Sequence, residues 1–441
     1  MDSRARFTGR GWAFLGAGAL CLLLATWLGR KDVLALALFL GGAPLFAALS
    51  LYVVKPRVLL KRGVDPALVT AGDSAVVRLR VRHRTRRRGT VTGAVAVHET
   101  VPEPLGGDRE LSVEAGGEPA AYTVRPRRRG VYALGPATVR VADPFGLAAE
   151  LLDASERTSL HVAPDPVELP EISADRLRES GTDPSRTAQP QPGPDNVTTR
   201  EYRHGDPMRR VHWAASAKHG RLMVRQEDPR STRRLTLVLD RDETSWPGER
   251  LWAGVLPSTA EFEWAVSFTA AVIEHLTQRE TAVHALDTFG RPLPRGGEDD
   301  DAPARTRATA VTDDGAEDAR HGLARVRPEP APRAGATGGT DGGVPAEDAL
   351  ADRFDRDGLV HPVLLVSGDL DAAAAERVLR GTQRAAAGSA VLVTSSPDRV
   401  PDGAGVLEAA GWSVVVVPAS AAPEDAWAQL GTAARTAGAG R

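Results

Sequence analysis

Leu235-Thr236-Leu237-Val238-Leu239-Asp240 decides the fold of this 441-residue chain. The run is apolar with hardly a break and ends in an acid. A strand with one wet face alternates apolar and polar residues; a continuous run fits a strand covered on both faces, as in parallel sheets. Four further runs read the same way: Ala282-Val283-His284-Ala285-Leu286, Val363-Leu364-Leu365-Val366, Ala390-Val391-Leu392-Val393 and Val414-Val415-Val416-Val417. Helical stretches lie between most of them, at Glu261–Gln278, Ala372–Ala386 and Pro423–Ala434. The pattern predicts an α/β domain over 233–289 and 358–437, a parallel sheet with helices on both faces. Open sheets of this kind bind ligands beyond the carboxyl ends of their strands, which is where Asp240 stands.

The stretch 290–357 interrupts that domain. It is dense in Gly, Pro, Asp, Glu and Ala and poor in large apolar residues. Such a composition buries too little surface to offset ordering entropy, and its length exceeds that of ordinary loops, so a disordered insertion is expected. It serves as a partner tether or is functionally neutral.

Upstream, over 57–166, the runs are short and alternating. Ala75-Val76-Val77-Arg78-Leu79-Arg80-Val81-Arg82 sets apolar against basic residues, and Val91–Val97, Ala121–Val124 and Ala137–Val141 resemble it. Gly and Pro punctuate them, which predicts an all-β, sandwich-like domain. In Asp143-Pro144-Phe145-Gly146-Leu147, Asp-Pro opens a turn and Gly146 allows a positive φ. The basic run Arg78–Arg88 reads as a solvated strand face or as a contact for anionic lipid headgroups. A Pro-, Asp-, Ser- and Thr-rich linker is expected over 167–199.

The N-terminus reads as membrane. Trp12–Leu28 and Val33–Val54 are apolar runs close to the ~20 residues that a spanning helix needs. Gly29-Arg30-Lys31-Asp32 is short enough to join them as a helical hairpin over 12–54, and Trp12, Trp27 and Tyr52 sit near the ends. Arg4, Arg6 and Arg10 precede the hairpin, and Lys55, Arg57, Lys61 and Arg62 follow it; the connecting turn holds only Arg30 and Lys31, with Asp32. The positive-inside rule then places residues 1–11 and the C-terminal bulk in the cytoplasm, on the inner face of the cell membrane. The alternative is a cleaved signal peptide and one span, with the bulk outside, but no small-x-small cleavage site closely follows the first run.

A formal net charge of -2 creates no global field that would recruit nucleic acid. The lone Cys21 excludes an intrachain disulfide and a cysteine metal site.

Residues 200–227 form a distinct charged segment containing Arg200-Glu201-Tyr202-Arg203-His204-Gly205-Asp206-Pro207-Met208-Arg209, then Trp213, Lys218, Gly220 and Arg221. Asp206-Pro207 is a good helix start and Gly220 a good stop, so a loop, a short basic helix and a strand at Leu222–Val224 are expected. Its charges form an internal salt-bridge lattice or a docking surface. His204, Asp206, His212, Ser216 and His219 lack the surroundings of a nucleophile elbow, zinc helix or phosphate loop, so catalysis is not expected there.

This segment resembles the signature of bacterial membrane proteins carrying domain of unknown function 58. Arg127-Arg128-Arg129-Gly130-Val131-Tyr132 and the Asp143–Leu147 turn fit the same family, so Arg129, Gly130, Asp143, Pro144 and Gly146 are assigned to its turn motifs. The resemblance implies a von Willebrand factor A-like C-terminal domain, in which Asp-x-Ser-x-Ser holds a divalent ion. Here the matching positions are Asp240, Asp242 and Thr244, with Asp369 of Ser367-Gly368-Asp369 as a second acid. Two serines of the pattern are replaced, yet every side chain offers oxygen to a hard cation such as Mg2+. The other reading is a decayed site whose acids are neutralised by Arg241 or another cation. The resemblance further implies a MoxR-type AAA+ ATPase and a transglutaminase-like membrane protein as partners, and hence a membrane-anchored adaptor rather than an enzyme. The competing functions are a metal-dependent hydrolase using Asp240, Asp242 and Asp369, and a purely structural envelope protein.

Overall fold

The computed structural model describes residues 6–54, 58–83, 94–114, 116–165, 167–171, 197–201, 216–217, 221, 223–227, 233–296, 310–331, 348–396 and 399–439. A two-residue strand, β1 (Arg6–Phe7), leads into helices α1 (Gly9–Leu28) and α2 (Lys31–Val54). Both helices are long and apolar enough to cross a membrane, and only 17% of each apolar window is buried, so neither is the core helix of a soluble domain. They pack against each other through small residues: a Cβ on Gly18 would come within 2.8 Å of the Gly41 nitrogen. Such close backbone approach is how apolar helices associate where lipid supplies no hydrophobic drive.

Ten strands follow: β2 (Val58–Asp65), β3 (Leu68–Thr70), β4 (Ala75–His83), β5 (Ala94–Glu99), β6 (Arg109–Glu114), β7 (Ala120–Val124), β8 (Gly130–Leu134), β9 (Ala137–Ala142), β10 (Ala148–Ala154) and β11 (Thr158–Ala163). They form three sheets, ordered β1-β10-β9-β5-β6, β2-β4-β7 and β3-β11-β8. The alternation in β4 works as the period of two requires: Val77, Leu79 and Val81 face inward while Arg78, Arg80 and Arg82 face solvent. One core gathers Leu60, Leu79, Val97, Val139, Leu134 and Leu160 from all three sheets. Arg62 on β2 reaches Glu99 on β5 within that interior, with bonds of 2.7 and 3.1 Å.

The α/β domain contains β14 (Arg233–Leu239), a hairpin of β15 (Arg250–Ala253) and β16 (Leu256–Thr259), α3 (Ala260–Thr277) and β17 (Thr281–Asp287). Then come α4 (Asp313–Gly322), α5 (Ala349–Asp357), β18 (Val363–Ser367), α6 (Ala372–Gly381), β19 (Gly388–Thr394), α7 (Asp402–Ala409), β20 (Ser413–Pro418) and α8 (Pro423–Ala439). Just before it, β12 (Val197–Glu201) pairs antiparallel with β13 (Met223–Glu227). The main sheet is parallel throughout, ordered β17-β14-β18-β19-β20. Its strands bury both faces: Leu237, Leu364 and Val391 pack in one core with α3 and α8, and Val238, Leu365 and Leu392 in another with α5, α6 and α7. The strand order reverses between β14 and β18, which makes their carboxyl ends the ligand-binding crevice of such a sheet.

Two expectations need correcting. Disorder was expected across 290–357, yet α4, α5 and the segments around them are built into the domain. Val311 bridges Val283, and Leu293, Val311, Leu323 and Val326 are buried against one face of the sheet, Leu350 and Phe354 against the other. Average composition hid this, because a few apolar residues, well spaced, suffice to cap a core that already exists. Residues 297–309 and 332–347 lie outside the described residues. The linker boundaries also shift. Leu169 is buried in the α/β core and Pro170 O accepts the Trp427 indole N–H at 3.1 Å, while Val197–Thr199 already belong to β12.

Arg129 and Gly130 do more than shape a turn. The Arg129 side chain leaves the β domain, is 3% exposed, and donates to Leu323 O at 2.9 Å and Val326 O at 2.7 Å. It also pairs with Glu263 of α3 at 2.7 Å. Beside it, a Cβ on Gly130 would overlap the Ala253 carbonyl, and Val255 N donates to Val131 O at 2.7 Å. A long cation and a missing side chain thus join the two domains.

Candidate functional site

Asp240 directly follows β14 at the reversal point and is 2% exposed. Its N–H donates to Val366 O at 2.8 Å, which fixes it beside the end of β18. Its Oδ1 accepts from Asp242 N at 2.9 Å and Thr288 Oγ1 at 3.0 Å; its Oδ2 accepts from Ser367 Oγ at 2.7 Å. Burial pushes the Asp240 carboxyl above the usual carboxylate range, and hydrogen bonds from Ser245, Ser367, the Asp242 amide and Thr288 pull it part of the way back. These are neutral donors. A carboxylate buried among neutral donors is the state that a bound cation would relieve.

Asp369 comes from the loop after β18. Its N–H donates to Ser245 O at 2.7 Å, which ties that loop to the one after β14. Gly368 makes this possible, since a Cβ there would overlap the Ser245 carbonyl and press within 2.8 Å of the Trp246 ring. Trp246 anchors the other side, donating its indole N–H to Asp240 O at 3.2 Å and meeting Phe262 edge-on. The Asp369 Oδ1 is buried and, among the described residues, has no hydrogen-bond partner. The exposed guanidinium of Arg399 stands 3.8 Å from Oδ2.

Two expected ligands have other duties. The Asp242 Oδ1 accepts from Thr244 N at 3.1 Å and Thr244 Oγ1 at 2.8 Å, so this pair caps the short turn Glu243–Ser245. The hydroxyls around Asp240 come instead from Ser245, Thr288 and Ser367. Ser245 and Ser367 stand beside residues that the sequence pattern singles out; Thr288, at the end of β17, carries no signal short of the strand order. The cluster holds two acids and three hydroxyls. Among the described residues, no group of three His, Cys, Asp or Glu side chains suited to a metal ion forms. The donors present are hard oxygen ligands, which fit Mg2+ and similar ions.

Arg241 pairs with acids other than these, and among the described residues the cation that stands beside the site is Arg399. Arg241 points to a neighbouring cluster, 3.4 Å from Asp287 and paired with Glu329, while Arg291 binds Asp287 at 2.8 Å and Glu329 at 3.0 Å. Burial raises the Asp287 carboxyl, opposed by Arg291 and then Arg241. Burial also lowers Arg241, while Asp287 and Glu329 push it back up. The cluster pins residues 310–331 to the strand ends: Glu329 N donates to Arg241 O at 2.7 Å.

Of the charged segment, β12 carries Arg200 and Arg221 is exposed. Tyr202, Arg203, Gly205, Asp206, Arg209, Trp213, Lys218 and Gly220 lie outside the described residues, as do His204, His212 and His219. Residues 198–296 match the family described as protein of unknown function DUF58. The matched stretch begins in β12, takes in the charged segment, and contains Asp240, Ser245, Asp287 and Thr288, so it covers part of the strand-end cluster. Ser367 and Asp369 lie beyond it. No curated protein matches the chain. A solved cycloisomaltooligosaccharide glucanotransferase of Paenibacillus sp., complexed with cycloisomaltoheptaose, is 10% identical, with 81% of this chain and 48% of that chain covered and a TM-score of 0.15. This chain thus spans about half of that protein, and so slight a likeness carries no argument.

Proposed function

We propose that this chain is a membrane-anchored adaptor, with its bulk in the cytoplasm, whose α/β domain captures a partner's acidic side chain through a divalent ion. The observation that carries the reading is the buried Asp369 Oδ1, without a partner among the described residues, on the loop that Ser245 joins to the Asp240 carboxylate. Asp240 and Asp369 would hold Mg2+ with help from Ser245, Ser367 and Thr288, and Asp242 and Thr244 would keep the loop in shape. Bound there, the ion supplies a positive centre with coordination sites left for an incoming carboxylate. The von Willebrand factor A-like resemblance supports the same assignment. The cytoplasmic side is favoured because Arg4, Arg6, Arg10, Lys55, Arg57, Lys61 and Arg62 flank the hairpin, against Arg30 and Lys31 alone in its turn. The partner implied by the DUF58 resemblance is a MoxR-type AAA+ ATPase, with a transglutaminase-like membrane protein as a second. Together these would act in envelope or protein-complex maturation.

The test is affinity purification of the tagged full-length protein from native membranes after mild crosslinking, beside Asp240→Ala. Recovery of an AAA+ ATPase with the native protein and its loss in the variant would support capture through the ion. Retention by the variant would move docking to the Arg200–Arg221 segment. Recovery with neither would remove the adaptor reading.

A further inference from the structure

The Asp143–Leu147 turn is fastened to the start of α1. Thr8 caps that helix by accepting from Gly11 N at 3.1 Å; it also donates its O–H to Gly146 O at 2.6 Å and its N–H to Leu147 O at 3.0 Å. β1 extends the contact, pairing Arg6 and Phe7 with Ala149 and Ala148. The approach is so close that a Cβ on Gly11 would overlap the Leu147 carbonyl. Asp143 sets the shape of the turn, its Oδ1 accepting from Phe145 N at 2.8 Å and its Oδ2 from Ala148 N at 2.6 Å. None of these bonds involves the Phe145 ring, which is left 73% exposed.

The turn also reaches up the flank of the helices. Leu147 and Ala148 are buried in one apolar cluster with Ala47 and Leu51 of α2, and Phe14 of α1 packs against it. Leu51 lies ~4.5 Å from the C-terminal end of α2 at ~1.5 Å per residue. The whole helix measures ~36 Å against a hydrocarbon core of ~30 Å, an overhang of ~3 Å at each end, so side chains at the level of Leu51 meet the core boundary. Trp12 and Tyr52, both exposed, stand at the same end of the hairpin, and Trp12 meets Phe7 edge-on at 5.7 Å. Aromatic rings gather at this depth because their faces prefer the apolar side of the interface. Arg10, whose guanidinium lies 3.9 Å from where a Gly146 Cβ would be, adds a cation for anionic headgroups.

We propose that Phe145 is a lipid-seated anchor. Its ring lies in the bilayer interface beside Trp12 and, through the Thr8 bonds, holds the β domain against the membrane surface. The proposal rests on α1 and α2 spanning the bilayer. It accounts for an exposed phenylalanine at the tip of a turn that the Asp143 carboxylate and the Thr8 bonds hold in place.

The test uses the full chain in nanodiscs of phosphatidylcholine and phosphatidylglycerol, with the lone native thiol removed by Cys21→Ala. A polarity-sensitive fluorophore is placed by Phe145→Cys, Leu38→Cys or Val400→Cys, all at exposed positions, and quenching by a lipid spin-labelled near its headgroup and by one labelled mid-chain is measured. The expected result is strong quenching at position 145 by the shallow probe, quenching at 38 by the deep probe, and neither at 400. A label at 145 that behaves like the one at 400, while 38 is quenched, would overturn the anchor and leave the spans standing. No quenching at 38 would overturn the spans and the anchor with them.

Discussion

Replacing Arg129 by alanine should uncouple the two domains. Three bonds are lost: two to the buried carbonyls of Leu323 and Val326, and one to Glu263. Hydrogen bonds to a charged group contribute about 1.5–3 kcal/mol each, and stripping one partner from a buried ion pair costs about 3–5 kcal/mol. These figures overlap rather than add, and Glu263 keeps Ser258 as a donor and some solvent access, so a loss of ~3 kcal/mol is expected. The β domain, 58–165, contains no tryptophan, whereas Trp246, Trp252, Trp264, Trp412 and Trp427 lie in the α/β domain. Urea unfolding followed by tryptophan fluorescence therefore reports mainly on the α/β domain, and circular dichroism reports on both. The native protein should show coincident transitions. Arg129→Ala should move the fluorescence midpoint to lower urea and separate the two curves, and Arg129→Lys should do so only partly, because one ammonium cannot span three acceptors in a fixed fork. A fluorescence shift within ~0.5 kcal/mol of native, with the curves still coincident, would refute the clamp.

Other outcomes follow from the same geometry. Glu99→Ala strips the partner from Arg62 inside the β domain and should cost about 3–5 kcal/mol in thermal unfolding, whereas Arg62→Met combined with Glu99→Leu should recover most of it. Burial, and then the Arg279 guanidinium, hold His275 below its ordinary value. The native state then binds fewer protons than the unfolded chain between that lowered pKa and ~6.5, so stability is full above ~6.5 and falls as pH drops through the window. His275→Gln should flatten the slope in melts taken across this range; an unchanged slope would assign it elsewhere. Gly368→Ala forces the Ser245 loop away from Asp369 and should weaken Mg2+ binding by about 10–100-fold in calorimetric titration, as disturbed supports of metal ligands do.

The parallel sheet was legible because its strands are covered on both faces, and Leu235–Leu239 could belong to little else. The hairpin was legible from length and apolarity, and the Asp143–Leu147 turn from Asp, Pro and Gly alone. The insertion was misread because disorder was inferred from an average, whereas Val311, Leu323 and Phe354 act one at a time against a surface made elsewhere. Arg129 looked like part of a basic turn, since nothing local shows that its partners stand some 130 to 200 residues later. At the site, Asp240 and Asp369 were legible as acids at strand ends. Thr288 was not, because it reaches Asp240 only through the order in which β17 and β14 lie side by side. The von Willebrand factor A-like resemblance gives Thr244 to the ion, but the tight turn after β14 spends its hydroxyl on Asp242.

The central claim is that the Asp240–Asp369 cluster holds a divalent ion. Titration of Mg2+, and then Mn2+, into the full-length protein by calorimetry tests it most directly, with Asp240→Ala alongside. One saturable site per chain, absent in the variant, is the predicted result; no heat of binding up to millimolar ion would contradict it.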